Sequence, residues 1–127
     1  MKSKKVLLAE DNEMMRFMLS EMLEELEYDF DVCRDGQECL TMLNDAPNDY
    51  AIVLMDIHMP FKSGLDAVSE IRNSNLHPPK GIPVIAVTAD QHWQHLERCI
   101  KIGFNDVMPK PVSMNRLSEG IKTHLVA

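Results

Sequence analysis

Three carboxylates, a hydroxyl and an amine each follow a short apolar run in this chain. Glu10 and Asp11 follow Val6-Leu7-Leu8-Ala9, and Asp56 follows Ala51-Ile52-Val53-Leu54-Met55. Thr88 follows Pro83-Val84-Ile85-Ala86-Val87, and Lys110 follows Asp106-Val107-Met108 after Pro109. Brought together, these groups would suit one kind of chemistry. Crowded carboxylates repel, and some of their pKa values rise unless a cation is present. Hard oxygen ligands suit Mg2+, which takes one or two carboxylates, keeps several waters and shares a substrate phosphate. A lysine adds positive charge for a phosphoryl oxygen, and a threonine hydroxyl donates a hydrogen bond. The set fits phosphoryl transfer to a carboxylate with Asp56 as nucleophile, a reaction governed by positioning and charge neutralisation.

Taken singly, each group has an ordinary explanation. Glu10-Asp11 would favour a helix N-terminus through the dipole. Asp56 would cap a turn, Thr88 would cap the fourth helix, and Lys110 would be a surface lysine. Only elements that bring all of them to one place make them a site.

The hydrophobic pattern supplies such elements. The apolar runs are too short for helices and read as strands over 6–9, 30–33 (weak), 51–55, 83–87 and 106–108. Helical spacing follows each. Met15, Met18, Met22 and Leu26 mark the first helix behind an Asn12 N-cap. Leu40 and Leu43 mark the second, over Gln37 to Asn44, and Leu65, Val68 and Ile71 the third, after Gly64. Leu96, Cys99 and Ile100, with Trp93, mark the fourth, which Gly103 stops. Met114, Leu117, Ile121 and Leu125 mark the fifth. Asn73 to Gly81 is a loop, because its prolines cannot hold a helix. Strands that read as continuous apolar runs are buried on both faces, so the predicted fold is α/β, a parallel sheet covered by helices on both sides. Ligands of such sheets bind outside the carboxyl ends of the strands. With strand order 2-1-3-4-5, four of the special ends are neighbours.

The composition agrees with one domain over residues 1–127. Hydrophobic residues are 45% and charged residues 26%, which is ordinary for a globular chain. The net charge of −7 argues against direct binding of nucleic acid. Residues 1–63 carry a balance of −8 and residues 64–127 a balance of +1. Much of the excess is Glu21, Glu24, Glu25, Glu27, Asp29 and Asp31, read as a solvated helix face and turn. No run approaches the ~20 apolar residues of a membrane span. Lys2, Lys4 and Lys5 lead straight into a strand-length run, so no signal peptide is expected. Cys33, Cys39 and Cys99 are odd in number without a C-x-x-C, so free buried thiols and a reducing, cytoplasmic setting are expected.

At this point the chain resembles the receiver domain of two-component response regulators, across about residues 4–125. The resemblance rests on Val6-Leu7-Leu8-Ala9-Glu10-Asp11-Asn12, Leu54-Met55-Asp56-Ile57-His58-Met59-Pro60 with Gly64, Pro83 through Ala89, and Gly103 through Lys110-Pro111. It implies a flavodoxin-like sheet of order 2-1-3-4-5 and phosphorylation of Asp56 by a phosphohistidine donor. The donor would be a histidine kinase or a histidine phosphotransfer domain. It further implies Mg2+, with Mn2+ as a substitute, held by Asp11 and Asp56, by Glu10 through a water, and by the backbone carbonyl of His58. Thr88 and Lys110 would contact the phosphoryl group, and the Lys110–Pro111 bond would be cis. Such a domain catalyses its own phosphorylation without being a conventional enzyme. The segments around Asp11 and Lys110 are worded like receivers of hybrid sensor histidine kinases, so the expectation is an excised module or a single-domain regulator.

Two positions depart from the family pattern. Val107 stands where an aromatic ring usually moves with the threonine, so the switch around Thr88 must work without it. Pro109 removes a backbone donor at the end of the fifth strand. Neither touches the phosphorylation chemistry. Trp93, on the fourth helix beside His92 and His95, is either a partner-facing residue or simple flank packing. Met15, Met18, Met22 and Met55 are read as core filler. Three other functions compete with this one. An interaction module no longer phosphorylated has Val107 for it and intact Asp56 and Lys110 against it. A phosphatase of the aspartyl-nucleophile type needs an acid where His58 stands. A flavin carrier needs a phosphate-binding loop where Glu10-Asp11-Asn12-Glu13 would repel phosphate.

Overall fold

The computed structural model describes residues 4–75 and 80–125. Residues 76–79, the middle of the expected loop from Asn73 to Gly81, lie outside the described residues, as does Lys2. Strands and helices alternate: β1 Lys5–Ala9, α1 Glu13–Glu25, β2 Phe30–Cys33, α2 Gly36–Asp45, β3 Tyr50–Asp56 and α3 Gly64–Arg72. They continue with β4 Val84–Thr88, α4 Leu96–Ile102, β5 Asp106–Pro109 and α5 Met114–His124. A single 3₁₀ turn, Gln91–Trp93, precedes α4. The sheet has the order β2-β1-β3-β4-β5 and every pairing is parallel.

Side chains alternate across the sheet and build two cores. Leu7, Ala9, Val53, Met55, Val84 and Ala86 face α2, α3 and α4, where they meet Leu43, Val68, Ile71 and Cys99. Val6, Leu8, Ile52, Leu54, Ile85 and Val87 face α1 and α5, where they meet Leu19, Leu23, Leu117 and Ile121. Both faces are covered, which is why the runs are unbroken in sequence. All three cysteines are free and buried.

Several local expectations need correction. The methionine stripe of α1 is not the core stripe: Leu19 and Leu23 are buried, Met15 and Met22 lie at the margin, and Met18 is 40% exposed. Met, Leu and the polar flank share similar spacing there, so the sequence left the helix rotation undetermined. Leu96 and Ile100 are exposed, at 46% and 54%, and only Cys99 of α4 is buried. His92 sits in the 3₁₀ turn and His95 is the N-cap position of α4, so the two do not share a helix. Asp90 accepts from the His92 amide and starts the chain turning early. Asp56 and Thr88 are the last residues of β3 and β4 and not the first residues beyond them. Pro109 closes β5, an edge strand, where a missing amide costs little.

Candidate functional site

The carboxyl ends of β1, β3, β4 and β5 lie side by side; β1 delivers two groups and each of the others one. Glu10 follows β1, and its side chain is buried beneath the sheet edge. Asp56 and Thr88 are 7% and 1% exposed. Lys110 follows β5; its amide donates to the Thr88 carbonyl (2.9 Å), which registers it against β4. The Lys110–Pro111 peptide is cis. The Lys110 ammonium lies 2.8 Å from Glu10 Oε1 and 3.3 Å from Asp56 Oδ2. Asp11, exposed, completes the set: one carboxylate oxygen each from Glu10, Asp11 and Asp56 lie within 4.8 Å of one another. A cavity of about 520 Å³ opens over them, lined also by Asn12, Met15, Ala89 and Pro111.

Local bonds hold this arrangement. Asn12 caps α1 by accepting from the Met15 amide (2.9 Å), and the Asn12 amide donates to Glu10 Oε2 (3.2 Å). Arg16, one turn into α1, donates to the Glu10 and Asp11 carbonyls (3.0 and 3.3 Å). The loop that carries two carboxylates is thus pinned by the helix that follows it. Gly64 allows the β3–α3 loop to close on the site. A Cβ at Gly64 would stand 2.2 Å from the Asp56 carbonyl oxygen, so only glycine fits. The His58 amide donates to Asp56 Oδ1 (3.3 Å). Thr88 Oγ1 accepts from the Asp90 amide (3.0 Å), and Gln94 donates to the Thr88 carbonyl (3.0 Å).

The charges are unevenly matched. One lysine faces two buried carboxylates. Burial, and then the neighbouring Asp56, push the Glu10 carboxyl up to about 7, against the opposing pull of Lys110. Burial alone would lower the Lys110 amine, but Glu10 and Asp56 outweigh it and hold it above its ordinary value. Glu10 Oε1 has the ammonium beside it but no aligned hydrogen bond. A buried carboxylate oxygen without an aligned donor, next to two more carboxylates, fits a hard cation. The residues present are therefore suited to hold Mg2+.

All five chemistry-bearing residues expected from the sequence meet here. Val107 is buried in the core on the α2–α4 side, and Trp93 packs half-buried against the same core. Trp93 meets His92 edge to face at 5.2 Å, and its carbonyl accepts from Cys99 Sγ. Sequence reading did not find the roles of Arg16, Gln94 and Asp90. An arginine four residues after an N-cap is a common helix residue, and nothing in its spacing says that it turns back on the loop.

The family model of the response regulator receiver domain matches residues 6–122, and the chain belongs to this family. It is 35% identical over 124 residues to hybrid signal transduction histidine kinase I of Dictyostelium discoideum, covering 95% of this chain and 7% of that one. It is 32% identical to the peroxide stress-activated histidine kinase mak2 of Schizosaccharomyces pombe, covering 96% of this chain and 5% of that one. The chain therefore spans less than a tenth of these relatives. Among solved structures, the receiver domain of sensor histidine kinase PA1611 from Pseudomonas aeruginosa superposes with a TM-score of 0.82 at 28% identity. That likeness covers 98% of both chains, and that structure has a magnesium ion coordinated in its active-site cleft. The protein is a receiver domain of two-component phosphorelay systems. No described helix is long and apolar enough to cross a membrane.

Proposed function

We propose that Asp56 accepts a phosphoryl group from a phosphohistidine on a partner protein, in a Mg2+-dependent reaction. The observation that carries this reading is the buried Asp56 carboxylate, with Lys110 at 3.3 Å and two further carboxylates beside it under an open cavity. An Asp56 oxygen attacks phosphorus, the phosphorus–nitrogen bond of the donor breaks, and the imidazole nitrogen leaves with the electron pair. Glu10, Asp11 and Asp56, with the His58 carbonyl, would hold Mg2+, which supplies charge neutralisation at the transferring oxygens. Lys110 orients Asp56 and offers its ammonium to a phosphoryl oxygen. The Thr88 hydroxyl takes one amide as donor and keeps its own hydrogen for the phosphoryl group. Bound phosphoryl pulls on Thr88 and so on the segment from Asp90 to Gln94. With Val107 in place of a ring, the signal passes through that segment to Trp93, a half-exposed anchor for a partner.

The hybrid-kinase relatives support a place in a phosphorelay, with a histidine kinase or histidine phosphotransfer domain as donor on the cytoplasmic side. The test is intact mass after incubation with acetyl phosphate, with Mg2+, with chelator, and on Asp56→Asn. The expected result is an added ~80 Da, one phosphoryl group, that needs Mg2+ and is absent from the variant. A folded chain that gains no mass from acetyl phosphate or from a phosphohistidine donor would make it an unphosphorylated interaction module.

A further inference from the structure

The outward face of α1 changes character along its length. Met14, Phe17 and Met18, three and four residues apart, share that face and are 72%, 65% and 40% exposed. Farther along the helix come Glu21, Glu24 and Glu25, all exposed. The apolar end is the end beside the phosphoryl site. The cavity over Asp56 is lined by Asn12, the N-cap of α1, and by Met15, the neighbour of Met14. Among the described residues, Met14 and Met18 are the exposed methionines; the others are buried or half-buried. All three cysteines are buried, so the exposed sulfur-bearing residues of the described chain are these two. A protein that delivers a phosphoryl group through this cavity must cover its rim, and an exposed apolar patch on that rim marks a contact surface.

We infer that Met14 and Met18 are a reversible oxidation site, through which peroxides slow phosphoryl transfer from a protein donor. This inference rests on the proposed phosphorylation. In the step, a thioether sulfur attacks one peroxide oxygen; a sulfur–oxygen bond forms and the oxygen–oxygen bond breaks. The leaving oxygen takes the proton of the transferred hydroxyl and departs as water or an alcohol. The sulfur is oxidised and the peroxide reduced. Methionine sulfoxide reductases reverse this: two thiols are oxidised to a disulfide, and the oxygen leaves as water. An exposed sulfoxide is solvated and leaves the fold intact, because α1 holds the sheet through Leu19 and Leu23. Beneath a docked donor it must shed that water, and burying a polar group without a partner is unfavourable. Oxidation therefore weakens docking and leaves Asp56 and Lys110 as they are. Acetyl phosphate enters the cavity without covering α1, so its reaction is unchanged.

The test exposes the whole chain to hydrogen peroxide until ~32 Da, two oxygens, is added, and maps the oxygens by peptide mass. Met14 and Met18 are expected to oxidise at least about tenfold faster than the buried Met55, Met59 and Met108. Phosphorylation is then followed from acetyl phosphate and from a protein donor. The donor probe is the histidine phosphotransfer protein, phosphorylated on its histidine, that reacts fastest with the untreated chain. The oxidised chain should react about tenfold more slowly with the protein donor and at the untreated rate with acetyl phosphate. Sulfoxide reductase treatment should restore the rate. The double variant Met14→Leu/Met18→Leu has an apolar face without sulfur, so its rate with the protein donor should be the same before and after peroxide. Met14→Gln/Met18→Gln, polar from the start, should be slow with the protein donor without any peroxide. Oxidation spread evenly over all methionines, an oxidised chain as fast as the untreated one, or an equal peroxide loss in the leucine variant would overturn the inference and leave the phosphorylation reading intact. A chain phosphorylated by acetyl phosphate and by no phosphohistidine protein overturns the inference as well, since it has no docking to weaken. A chain that gains ~80 Da from neither donor overturns both readings.

Discussion

The two ends of the sheet treat buried charge in opposite ways. At the amino ends of the strands, the part-buried charges of Arg72, Asp106 and Asp31 are matched. Arg72, at the end of α3, donates to the carbonyls of Gly103, Lys80 and Ile82 and to Asn105 Oδ1, at 2.6–2.9 Å. Burial draws its guanidinium down from its ordinary value, yet each nitrogen has a partner. Burial would raise the Asp106 carboxyl, but the Val107 amide, Arg116 and His124 outweigh it and hold it low. Tyr50 and Lys5 both reach Asp31. At the carboxyl ends, one lysine serves two buried carboxylates, and Glu10 is driven toward its neutral form. The first end spends its polar groups on tying helices to strands. The second keeps a surplus of negative charge that a bound cation would balance.

The largest expected effect tests the second end. Lys110→Ala should slow phosphorylation of Asp56 by about 10²- to 10³-fold, as removal of one charge-stabilising donor does elsewhere. Rates from acetyl phosphate, read by intact mass, check this; a loss under tenfold would show that Lys110 only fills the pocket. At the first end, Arg72→Ala should cost about 4 kcal/mol in urea unfolding, because one side chain serves four acceptors. The folded fraction should phosphorylate at the wild-type rate, and a slowed rate would mean the two ends are coupled.

Glu10 gives a pH test of the contrast. Its folded pKa is raised above the ordinary 4.5 to about 7, so the folded state holds its proton more tightly than the unfolded chain. Without divalent cation, stability should therefore fall as pH rises from about 4.5 to 7, by on the order of 3 kcal/mol. Glu10→Gln should remove most of that slope and, with it, the extra stability that Mg2+ gives at pH 8. Urea titrations at pH 5 and 8, with and without Mg2+, read both. An unchanged slope would place the strain elsewhere. The smallest effect belongs to the loop's local anchor: Asn12→Ala should cost about 1 kcal/mol, the worth of an N-cap. A twofold or greater weakening of Mg2+ binding would show that the cap also sets the aim of Glu10 and Asp11.

Much of this was legible in the residues. Strand runs such as Tyr50–Asp56 are apolar on both faces because both faces are covered, and that pattern is visible before any folding. The cap Asn12 acts over three residues, so its signal is local. The identities and spacing of Glu10, Asp11, Asp56, Thr88 and Lys110 pointed to the groups that the fold gathers at one sheet edge. What spacing does not carry is rotation and aim. Leu19 and Leu23, and not the methionines, face the core of α1, and Leu96 and Ile100 of α4 face outward. Those choices follow from how each helix settles on the sheet, where neighbouring rotations of one apolar stripe compete.

The tertiary structure alone decided the pairing of charge. Lys110 lies 100 residues beyond Glu10 in the chain and 2.8 Å from it in space. His58 and Asp90 meet only because β3 and β4 are neighbours in register, Asp56 beside Val87. Sequence set which groups the protein owns, since side-chain chemistry is local. Which charges are buried, which are matched and which are left over depends on desolvation and on distances between strands, and those exist only in the fold.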